Sequence, residues 1–581
     1  MAEPATAPPE PATAPPEPPP LVEIEGLTFR YRRATEPAIW DIGLSVHPGE
    51  VLLVAGPSGC GKSTLIRAIN GLIPHAYPGE MAGTVKVAGA LTTEVRLRDI
   101  AKTVGTMLQD PAKQIVGATV EAELAFGPEN LGIAREIIRD RIDAVTTRTG
   151  LETLRGRVTS ELSGGERQLL AMAGILMMEP HLYVVDEPLA NLDPATAARL
   201  LASLRMLADA GDAVVIVEHR IEEALELRPD RVLYLEEGRT RYLGPVDGFL
   251  DVADPRAVKL PFEIVLDRAR RGALPTPIPP VERDLPEASA AEDATPPPRL
   301  EFRGVHAAIG DRPILHGVDA SLGPTEVVAM LGPNGSGKTT AFRTAMHLLP
   351  VTAGEILMDG EDIATKRTAE LATRFGYVFQ SPSQMLFART VRLELIFGPT
   401  NLGVDPAEFD ALVADVLRRT SLDAIDDILE RAPLSLSFGQ QKRLALAIAL
   451  AIRPRTLILD EPSAGQDHRT AEAFLREVMG IPGLESIYLI THDVDLALTH
   501  ADRILLFRDG RIVADGPPKE VISDTDRWAA CNLRQTSLMA ANLRWGGANG
   551  RFLDAESLAR RIATEGRPSA GAEGGRFVDP S

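Results

Sequence analysis

The sequence predicts an α/β protein in which one domain occurs twice. Short apolar segments rich in β-branched residues, such as Val51–Ala55 and Val214–Val217, are typical of strands buried in a parallel sheet. Segments with helical character, such as Lys62–Leu72 and Pro194–Leu207, lie between them. A glycine-rich motif follows an apolar strand, opens a helix, and is present in both halves of the chain. These observations favour two α/β domains in tandem.

The repeat extends well beyond that motif. GPSGCGKST at Gly56–Thr64 returns as GPNGSGKTT at Gly332–Thr340. The other paired segments are MLQDP and VFQSP, FGPENLG and FGPTNLG, LSGGERQ and LSFGQQK, and YVVDEP and LILDEP. They keep the same order and a nearly constant offset, which indicates a duplicated domain.

The repeat also sets the predicted domain boundaries. Proline-rich segments precede the first copy and separate the two copies, and such segments are extended and do not form a core. The tail has one amphipathic stretch, Leu553–Ile562, and no role is assigned to it. The predicted units are a disordered arm (1–20), a first domain (21–250), a proline-rich linker (251–298), a second domain (299–516) and a tail (517–581).

Composition excludes several classes of protein. The formal net charge of −20 over 581 residues disfavours nucleic acid as a partner. The two cysteines, Cys60 and Cys531, form no CxxC pair, so structural zinc, an iron–sulfur cluster and a disulfide framework are not expected. The N-terminus lacks the features of a signal peptide. The longest apolar run, Leu444–Ile452, is too short to span a bilayer, so any membrane role is expected to be peripheral.

The repeated glycine-rich motif, GxxxxGK[ST], predicts a phosphate-binding loop of the P-loop NTPase type. Its backbone N–H groups surround phosphate oxygens at a helix N-terminus, where a Cβ atom would collide with the turn or the ligand. Lys62 is expected to reach the β- and γ-phosphates of a nucleotide, and the Ser63 hydroxyl to bind Mg²⁺. Lys338 and Thr339 repeat this pair in the second copy.

Two carboxylates and a histidine recur at the ends of apolar strands. An aspartate at such a strand end can reach Mg²⁺ through water, and the glutamate after it can polarise an attacking water. The histidine that closes another strand is expected to contact the γ-phosphate. The residues are Asp186, Glu187 and His219 in the first domain, and Asp460, Glu461 and His492 in the second.

The segments LSGGE and LSFGQ, which begin at Leu162 and Leu436, resemble the signature of ATP-binding-cassette (ABC) proteins. The resemblance covers both copies almost from end to end. It implies a nucleotide-binding core with a helical subdomain inserted before the signature segment. It also implies that the two domains of this chain pair head to tail, with each ATP between one phosphate loop and the signature segment of the other domain.

The resemblance further implies the composition of each site. Tyr31 is expected to stack on adenine, and Gln109 and Gln380 to join the metal sites. The expected catalytic residues are Glu187, His219, Glu461 and His492, and the expected Mg²⁺ ligands are Ser63, Gln109, Asp186, Thr339, Gln380 and Asp460. The residues expected to bind ATP are Tyr31, Gly56, Pro57, Ser58, Gly59, Cys60, Gly61, Lys62, Ser63, Thr64, Ser163 and Gly165 in the first domain, and Gly332, Pro333, Asn334, Gly335, Ser336, Gly337, Lys338, Thr339, Thr340, Ser437 and Gly439 in the second.

Several differences between the copies predict two competent but unequal sites. Ile309 occupies the position of Tyr31, Phe438 replaces the first signature glycine, and Gln466 replaces the leucine usual before Asp467. In the first loop, Cys60 lies at a helix N-terminus beside a lysine, which is expected to favour its reactive thiolate.

The segments Gln109–Gly132 and Gln380–Gly403, each ending in FGPxNLG, resemble the ATPases of energy-coupling-factor importers, which take up vitamins or cobalt and nickel ions. Gln114 matches the pattern of that family, whereas Met385 departs from it. The resemblance implies a place at the cytoplasmic face of the membrane, with a T-type coupling subunit and a substrate-binding subunit as partners. The arginine-bearing helices of the T-type subunit would dock near acidic residues, here Asp110, Glu121, Glu123, Glu129 and Glu394.

Other functions remain open. Soluble tandem-cassette ATPases act on ribosomes or in repair, but the proline-rich linker and acidic chain disfavour this class. The fused ATPase of a sugar importer is disfavoured by the paired FGPxNLG segments. A role that binds ATP without hydrolysis is disfavoured because Glu187 and Glu461 are both present. The sequence does not indicate the transported substrate.

Overall fold

A computed structural model of the protein describes residues 18–279 and 298–565, apart from residues 33, 110, 191 and 547–551. Most of the predicted N-terminal arm and the second half of the predicted linker lie outside the described residues. In the described part of the chain, no helix combines the length and apolar character needed to cross a membrane. Both predicted copies are α/β domains, which confirms the predicted fold class.

The first domain contains ten strands and eight α-helices, followed by two further helices, within residues 18–279 as described. The strands are β1 (Val22–Tyr31), β2 (Ile39–Val46), β3 (Val51–Ala55), β4 (Gly79–Val87), β5 (Ala90–Leu91), β6 (Val104–Met107), β7 (Leu182–Asp186), β8 (Ala213–Val217), β9 (Arg231–Glu236) and β10 (Arg239–Gly244). The helices are α1 (Lys62–Ile69), α2 (Leu72–His75), α3 (Leu97–Ile100), α4 (Val120–Asn130), α5 (Arg135–Thr149), α6 (Gly164–Leu176), α7 (Pro194–Asp209), α8 (Ile221–Ala224), α9 (Val246–Val252) and α10 (Phe262–Arg270).

The second domain repeats this arrangement, and four helices follow it. Its strands are β11 (Leu300–Ile309), β12 (Arg312–Leu322), β13 (Val327–Leu331), β14 (Val351–Met358), β15 (Glu361–Asp362), β16 (Phe375–Val378), β17 (Thr456–Asp460), β18 (Ser486–Ile490), β19 (Arg503–Arg508) and β20 (Arg511–Gly516). Its helices are α11 (Lys338–Ala345), α12 (Thr368–Ala372), α13 (Val391–Asn401), α14 (Phe409–Arg419), α15 (Phe438–Ala451), α16 (His468–Met479) and α17 (Val494–His500). The tail adds α18 (Pro518–Ser523), α19 (Thr525–Ala530), α20 (Ser537–Trp545) and α21 (Ala555–Glu565).

Each domain has one mixed sheet of six strands and one antiparallel sheet of four. The six-stranded sheets have the orders β10-β9-β3-β8-β7-β6 and β16-β17-β18-β13-β19-β20, and the four-stranded sheets β2-β1-β4-β5 and β12-β11-β14-β15. Strands β3, β7 and β8 are parallel neighbours and are buried along their whole length, as their continuous apolar sequences predict. Their carboxyl ends therefore meet at one edge of the sheet.

A helical subdomain lies between the glutamine at the end of the β6 loop and the signature segment. In the first domain, helices α4, α5 and α6 enclose a small core of their own that includes Val120, Leu124, Ile138, Ile142 and Leu170. Helices α13, α14 and α15 form the corresponding unit of the second domain. The predicted helical subdomain is confirmed in both copies.

The prediction of a linker without a core is wrong for its first half. Helix α10 lies inside the segment 251–298 and buries Phe262, Val265 and Leu266, which occupy positions i, i+3 and i+4 of one helix face. Pro261 immediately precedes this helix, where proline does not interrupt helical hydrogen bonds. The prediction relied on the proline content of the whole segment and therefore missed a short amphipathic helix within it.

The tail folds back onto the first domain. Leu558, Ala559 and Ile562 of α21 are buried in the hydrophobic core of the first domain, against helix α10. Glu556 of the same helix forms an ion pair with Arg256 over 2.6 Å. The tail, to which the sequence assigned no role, thus joins the end of the chain to its first domain.

We expect Leu558→Ala to lower the free energy of unfolding of the first domain by about 2–5 kcal/mol, because it leaves a cavity in a packed core. Chemical denaturation of the full chain measures the change. Thr564→Ala, at an exposed position of the same helix, is the control and should change stability little. If the two variants unfold alike, α21 does not belong to that core.

Candidate functional site

The first phosphate loop joins β3 to α1 through a turn that requires glycine. Gly56 has a φ of +148°, and a Cβ atom there would lie 2.3 Å from the carbonyl oxygen of Leu235. The Lys62 ammonium donates hydrogen bonds of 2.8 Å to the carbonyl oxygens of Gly56 and Pro57, so it lies folded across the loop. Lys338 makes the same pair of contacts in the second loop. Such a turn places backbone N–H groups at the start of the helix, where they can bind an anion.

A hydroxyl and a carboxylate meet beside each loop. Ser63 donates a 3.1 Å hydrogen bond to Asp186 Oδ2, and Thr339 donates a 3.3 Å bond to Asp460 Oδ1. Burial, reinforced by the neighbouring Glu187 carboxylate, raises the pKa of Asp186 to about 6. Asp186 Oδ1 is buried and accepts no hydrogen bond from any described residue. A hydroxyl beside an unused carboxylate oxygen fits the ligand chemistry of Mg²⁺.

The predicted catalytic glutamates lie against the predicted histidines. The Glu187 and His219 side chains approach to 3.1 Å, and those of Glu461 and His492 to 2.8 Å. Burial alone would raise the pKa of Glu187, but the hydrogen bond and charge of His219 outweigh it and hold this pKa below its usual value. The same opposition lowers the pKa of Glu461. Gln109 acts in the same direction on the pKa of Glu187. Each glutamate is therefore ionised and able to accept a proton.

Both glutamates have a strained backbone. Glu187 has a φ of 50° and Glu461 a φ of 49°, in the left-handed region that side chains with a Cβ rarely adopt. Such strain concentrates at functional sites, where the surrounding structure imposes it. The turn directs each carboxylate back toward the phosphate loop edge of the sheet.

A hydrogen bond joins the two domains at the first site. The backbone N–H of Ser58, inside the first phosphate loop, donates to Asp467 Oδ2 of the second domain over 2.7 Å. Asp467 also caps α16 by accepting from Thr470 N at 2.8 Å. The sequence analysis assigned no role to Asp467, although Asp193 recurs at the repeat offset and could have indicated one. This contact brings the second domain onto the first phosphate loop, as head-to-tail pairing requires.

The signature serines start helices in both domains. Ser163 accepts a hydrogen bond from Glu166 N, while the Glu166 side chain accepts from Ser163 N, which forms a capping box on α6. Ser437 and Gln440 form the same box on α15. Both serines thus lie at helix N-termini, where an anion is favoured. Their contact with the phosphates of the opposite site remains a prediction.

Known proteins share this arrangement. The family described as ABC transporter matches residues 39–190 and 315–464, once in each domain. The chain belongs to the ABC transporter family of ATP-binding proteins. A "Putative ABC transporter ATP-binding protein" of Methanosarcina acetivorans is 34% identical over 88% of this chain and 88% of its own length. A relative of the same description from Lactiplantibacillus plantarum is 32% identical over 93% of this chain and 100% of its own.

One solved structure is also similar. The cbiO1 protein from Clostridium perfringens, described as part of the ABC transporter complex cbiONQ, is 32% identical to this chain. The match covers 41% of this chain and 96% of that protein, with a TM-score of 0.36. The family assignment makes this chain an ABC ATPase that binds and hydrolyses ATP.

Tyr31, the residue predicted to stack on adenine, lies next to the first phosphate loop. Its hydroxyl lies 3.1 Å from the hydroxyl of Thr64 and accepts a 2.8 Å hydrogen bond from Arg67. The Arg67 guanidinium lies 4.5 Å from the centre of the Tyr77 ring. Ile309, at the position of Tyr31 in the second domain, is exposed and offers no such network. The two domains therefore differ here in their side-chain contacts, while adenine stacking on Tyr31 and the inequality of the two sites remain predictions.

The expectation of a reactive Cys60 thiolate is wrong. Cys60 is only 3% exposed and packs among apolar side chains of the first domain. Burial raises the pKa of its thiol, and Lys62, with its ammonium 3.8 Å from the sulfur, offsets this only in part. Desolvation of the thiolate therefore dominates over the charge of the helix N-terminus and the lysine.

We expect Glu187→Gln combined with Glu461→Gln to lower ATP turnover by about 10²–10⁴-fold while ATP binding is retained, because the variant lacks both proton acceptors and keeps both phosphate loops. Steady-state hydrolysis and binding of a fluorescent ATP analogue measure the two effects. Glu152→Gln, at an exposed position, is the control. Turnover at the parental rate in the double variant would exclude these glutamates from the reaction.

We expect maleimide to modify Cys60 slowly at neutral pH and faster as the pH rises, because its buried thiol has a raised pKa. Intact-mass measurement follows the modification, and Cys60→Ser identifies the reacting residue. Complete modification at pH 7 within the time needed for an exposed thiol would contradict the burial of Cys60.

Proposed function

We propose that this ABC ATPase is the motor subunit of an energy-coupling-factor importer for a vitamin or a transition-metal ion. ATP hydrolysis at two composite sites would drive transport through membrane subunits bound at the cytoplasmic face. The observation that carries this proposal is an exposed apolar patch on the FGPxNLG helix of each domain. The residues of these helices also carry the sequence resemblance to such importers.

The first docking patch consists of Val116 and Phe126, which are 63% and 51% exposed. Phe126 lies on α4, and Val116 lies in the loop before it. Glu123 fixes this loop by accepting hydrogen bonds from Val116 N and Gly117 N at 2.8 and 2.6 Å. These hydrogen bonds fix Val116 in an exposed position next to the helix that carries Phe126, and we propose that the two side chains act together as one apolar surface for a partner.

The second docking patch consists of Phe387, Leu393 and Phe397. Phe387 is 66% exposed and Phe397 50%, and their rings meet edge to face with centres 4.8 Å apart. Glu394 fixes the loop by accepting from Phe387 N and Ala388 N at 3.0 and 2.8 Å. The two domains thus present equivalent patches, and in each a glutamate fixes the loop by accepting two backbone hydrogen bonds.

The structure changes the expected electrostatics of docking. Glu123 and Glu394 were expected to attract arginines, but both bind the loop backbone instead, and Glu394 is buried. Asp110 lies outside the described residues. Glu121 and Glu129 remain exposed beside the first docking patch. We therefore propose that arginine-bearing helices of a T-type coupling subunit favour the first patch by charge and the second by apolar contact.

The reaction proposed for each site follows from its geometry. Mg²⁺ would be held by the Ser63 and Thr339 hydroxyls and, through water, by Asp186 and Asp460. It would neutralise the charge of the phosphates. In the first site, Glu187 would accept the proton of the attacking water, and Glu461 has the same place in the second. Ser163 and Ser437 would close the opposite sites when the domains pair.

We expect the double variant Phe126→Ser and Phe397→Ser to lose a membrane partner. The test is purification of the full chain from detergent-solubilised membranes of its source, with mass spectrometry of the copurified proteins. The parent should retain a polytopic membrane protein with arginine-bearing cytoplasmic helices, and the variant about tenfold less of it or none, because the residues at the centre of an interface dominate its affinity.

Met206→Ser is the matched control, since Met206 is an exposed apolar residue on α7, away from both docking patches. Its recovery of the membrane protein should equal that of the parent. Unchanged recovery with the double variant, or copurification of ribosomes in place of the membrane protein, would contradict the importer assignment.

A further inference from the structure

Two equivalent arginines have different partners in the two ATP sites. Arg67 and Arg343 each lie five residues after the phosphate loop lysine, on α1 and α11. Arg67 donates to Tyr31, on the base side of the first site. Arg343 instead acts on Tyr377, on the metal side of the second site, where its charge lowers the pKa of the Tyr377 hydroxyl against the effect of burial. The same position in the fold therefore supports different parts of the two sites.

The sequence of each domain explains the exchange. In the second domain Ile309 replaces the tyrosine that Arg67 binds, so Arg343 has no phenol on the base side. Strand β16 places Tyr377 opposite Ile458 of β17, and β6 places Thr106 at the equivalent position of the first domain, opposite a valine of β7. A tyrosine is thus lost from one side of the second site and gained on the other.

Tyr377 holds the metal-site carboxylate of the second domain. Its hydroxyl donates a 2.6 Å hydrogen bond to Asp460 Oδ2, while Thr339 donates to Oδ1. The Tyr377 ring is itself held edge to face by Phe379, with ring centres 4.6 Å apart. In the first domain the matching Asp186 is held only through Oδ2, and its Oδ1 has no partner among the described residues. Both oxygens are fixed in one site and only one in the other.

We propose that Tyr377 is a positioning residue that fixes Asp460 for metal binding and gives the second ATP site the higher Mg²⁺ affinity. The inference rests on the magnesium sites proposed above. A carboxylate already held with Oδ1 on the Thr339 side loses less conformational freedom when the metal binds. Residues that orient a metal ligand from outside the coordination shell change metal affinity without touching the ion.

The test compares Tyr377→Phe with Tyr488→Phe, which removes the hydroxyl of another tyrosine buried in the second domain, on β18. Mn²⁺, as a paramagnetic substitute for Mg²⁺, is titrated in the presence of a non-hydrolysable ATP analogue and detected by electron paramagnetic resonance. Lys62→Ala serves as the background for measuring the second site, and Lys338→Ala for the first. The affinity for the analogue without metal is measured in EDTA on the same proteins.

Tyr377→Phe should weaken Mn²⁺ binding at the second site by about tenfold, the lower range for loss of such an orienting partner, with metal-free analogue binding unchanged. Tyr488→Phe keeps the ring that stacks on Phe342 and should leave the Mn²⁺ affinity of the second site unchanged. In the parental sequence the second site should bind Mn²⁺ more tightly than the first. Parental Mn²⁺ affinity in Tyr377→Phe, or an equal loss of metal-free binding, would overturn the inference. If the parent itself shows no nucleotide-dependent Mn²⁺ binding, the magnesium sites fail instead.

Discussion

Both ATP sites depend on the tight glycine-containing turn of the phosphate loop, between a buried strand and a helix. The turn requires glycine at position 56. Gly56 is so close to the carbonyl oxygen of Leu235 that any side chain there would displace the loop. Because β3 lies beside β8, and β8 beside β7, the turn emerges at the edge where the other strands end. That adjacency brings Asp186 and His219 to the loop from distant parts of the chain.

Contacts between the two domains are the second feature on which the structure depends. Asp467 of one domain accepts a hydrogen bond from the phosphate loop of the other, so the first phosphate loop is held from both domains. The segments outside the repeats add contacts to this pairing, close to the histidines that are predicted to be catalytic. Lys259, from the stretch before α10, forms a 2.6 Å ion pair with Asp495, three residues after His492. Ser537 N, from the tail, donates to Glu222, three residues after His219. The linker and the tail of this single chain thus contact the segments that follow His219 and His492.

The two domains keep a common framework while their details diverge. Gln168 and Lys442 occupy the same buried position on the signature helices, and each donates to carbonyl oxygens of the loop that begins at the catalytic glutamate. Burial lowers the pKa of Lys442 to about 7, a cost that three surrounding carbonyls reduce. The ring of Phe438 packs against Gly465, where a Cβ atom would have only 3.0 Å of clearance. In each case the neighbouring residues accommodate the substituted side chain. The two domains can therefore differ in these residues and keep the same fold.

The sequence by itself determined the duplicated α/β fold and the residues of each phosphate loop, because those features depend on local patterns. A buried strand, a glycine turn and a helix start are all encoded within about fifteen residues of Lys62. The amphipathic stretch of α21 was predicted, but the roles of Asp467, Tyr377 and α21 were not, because those roles depend on contacts between segments far apart in the chain. Burial likewise raises the pKa of the Cys60 thiol, whereas its neighbours in the sequence indicated a reactive thiolate. Local periodicity and turn chemistry can be read along the chain, whereas desolvation and the pairing of domains exist only after the chain has folded.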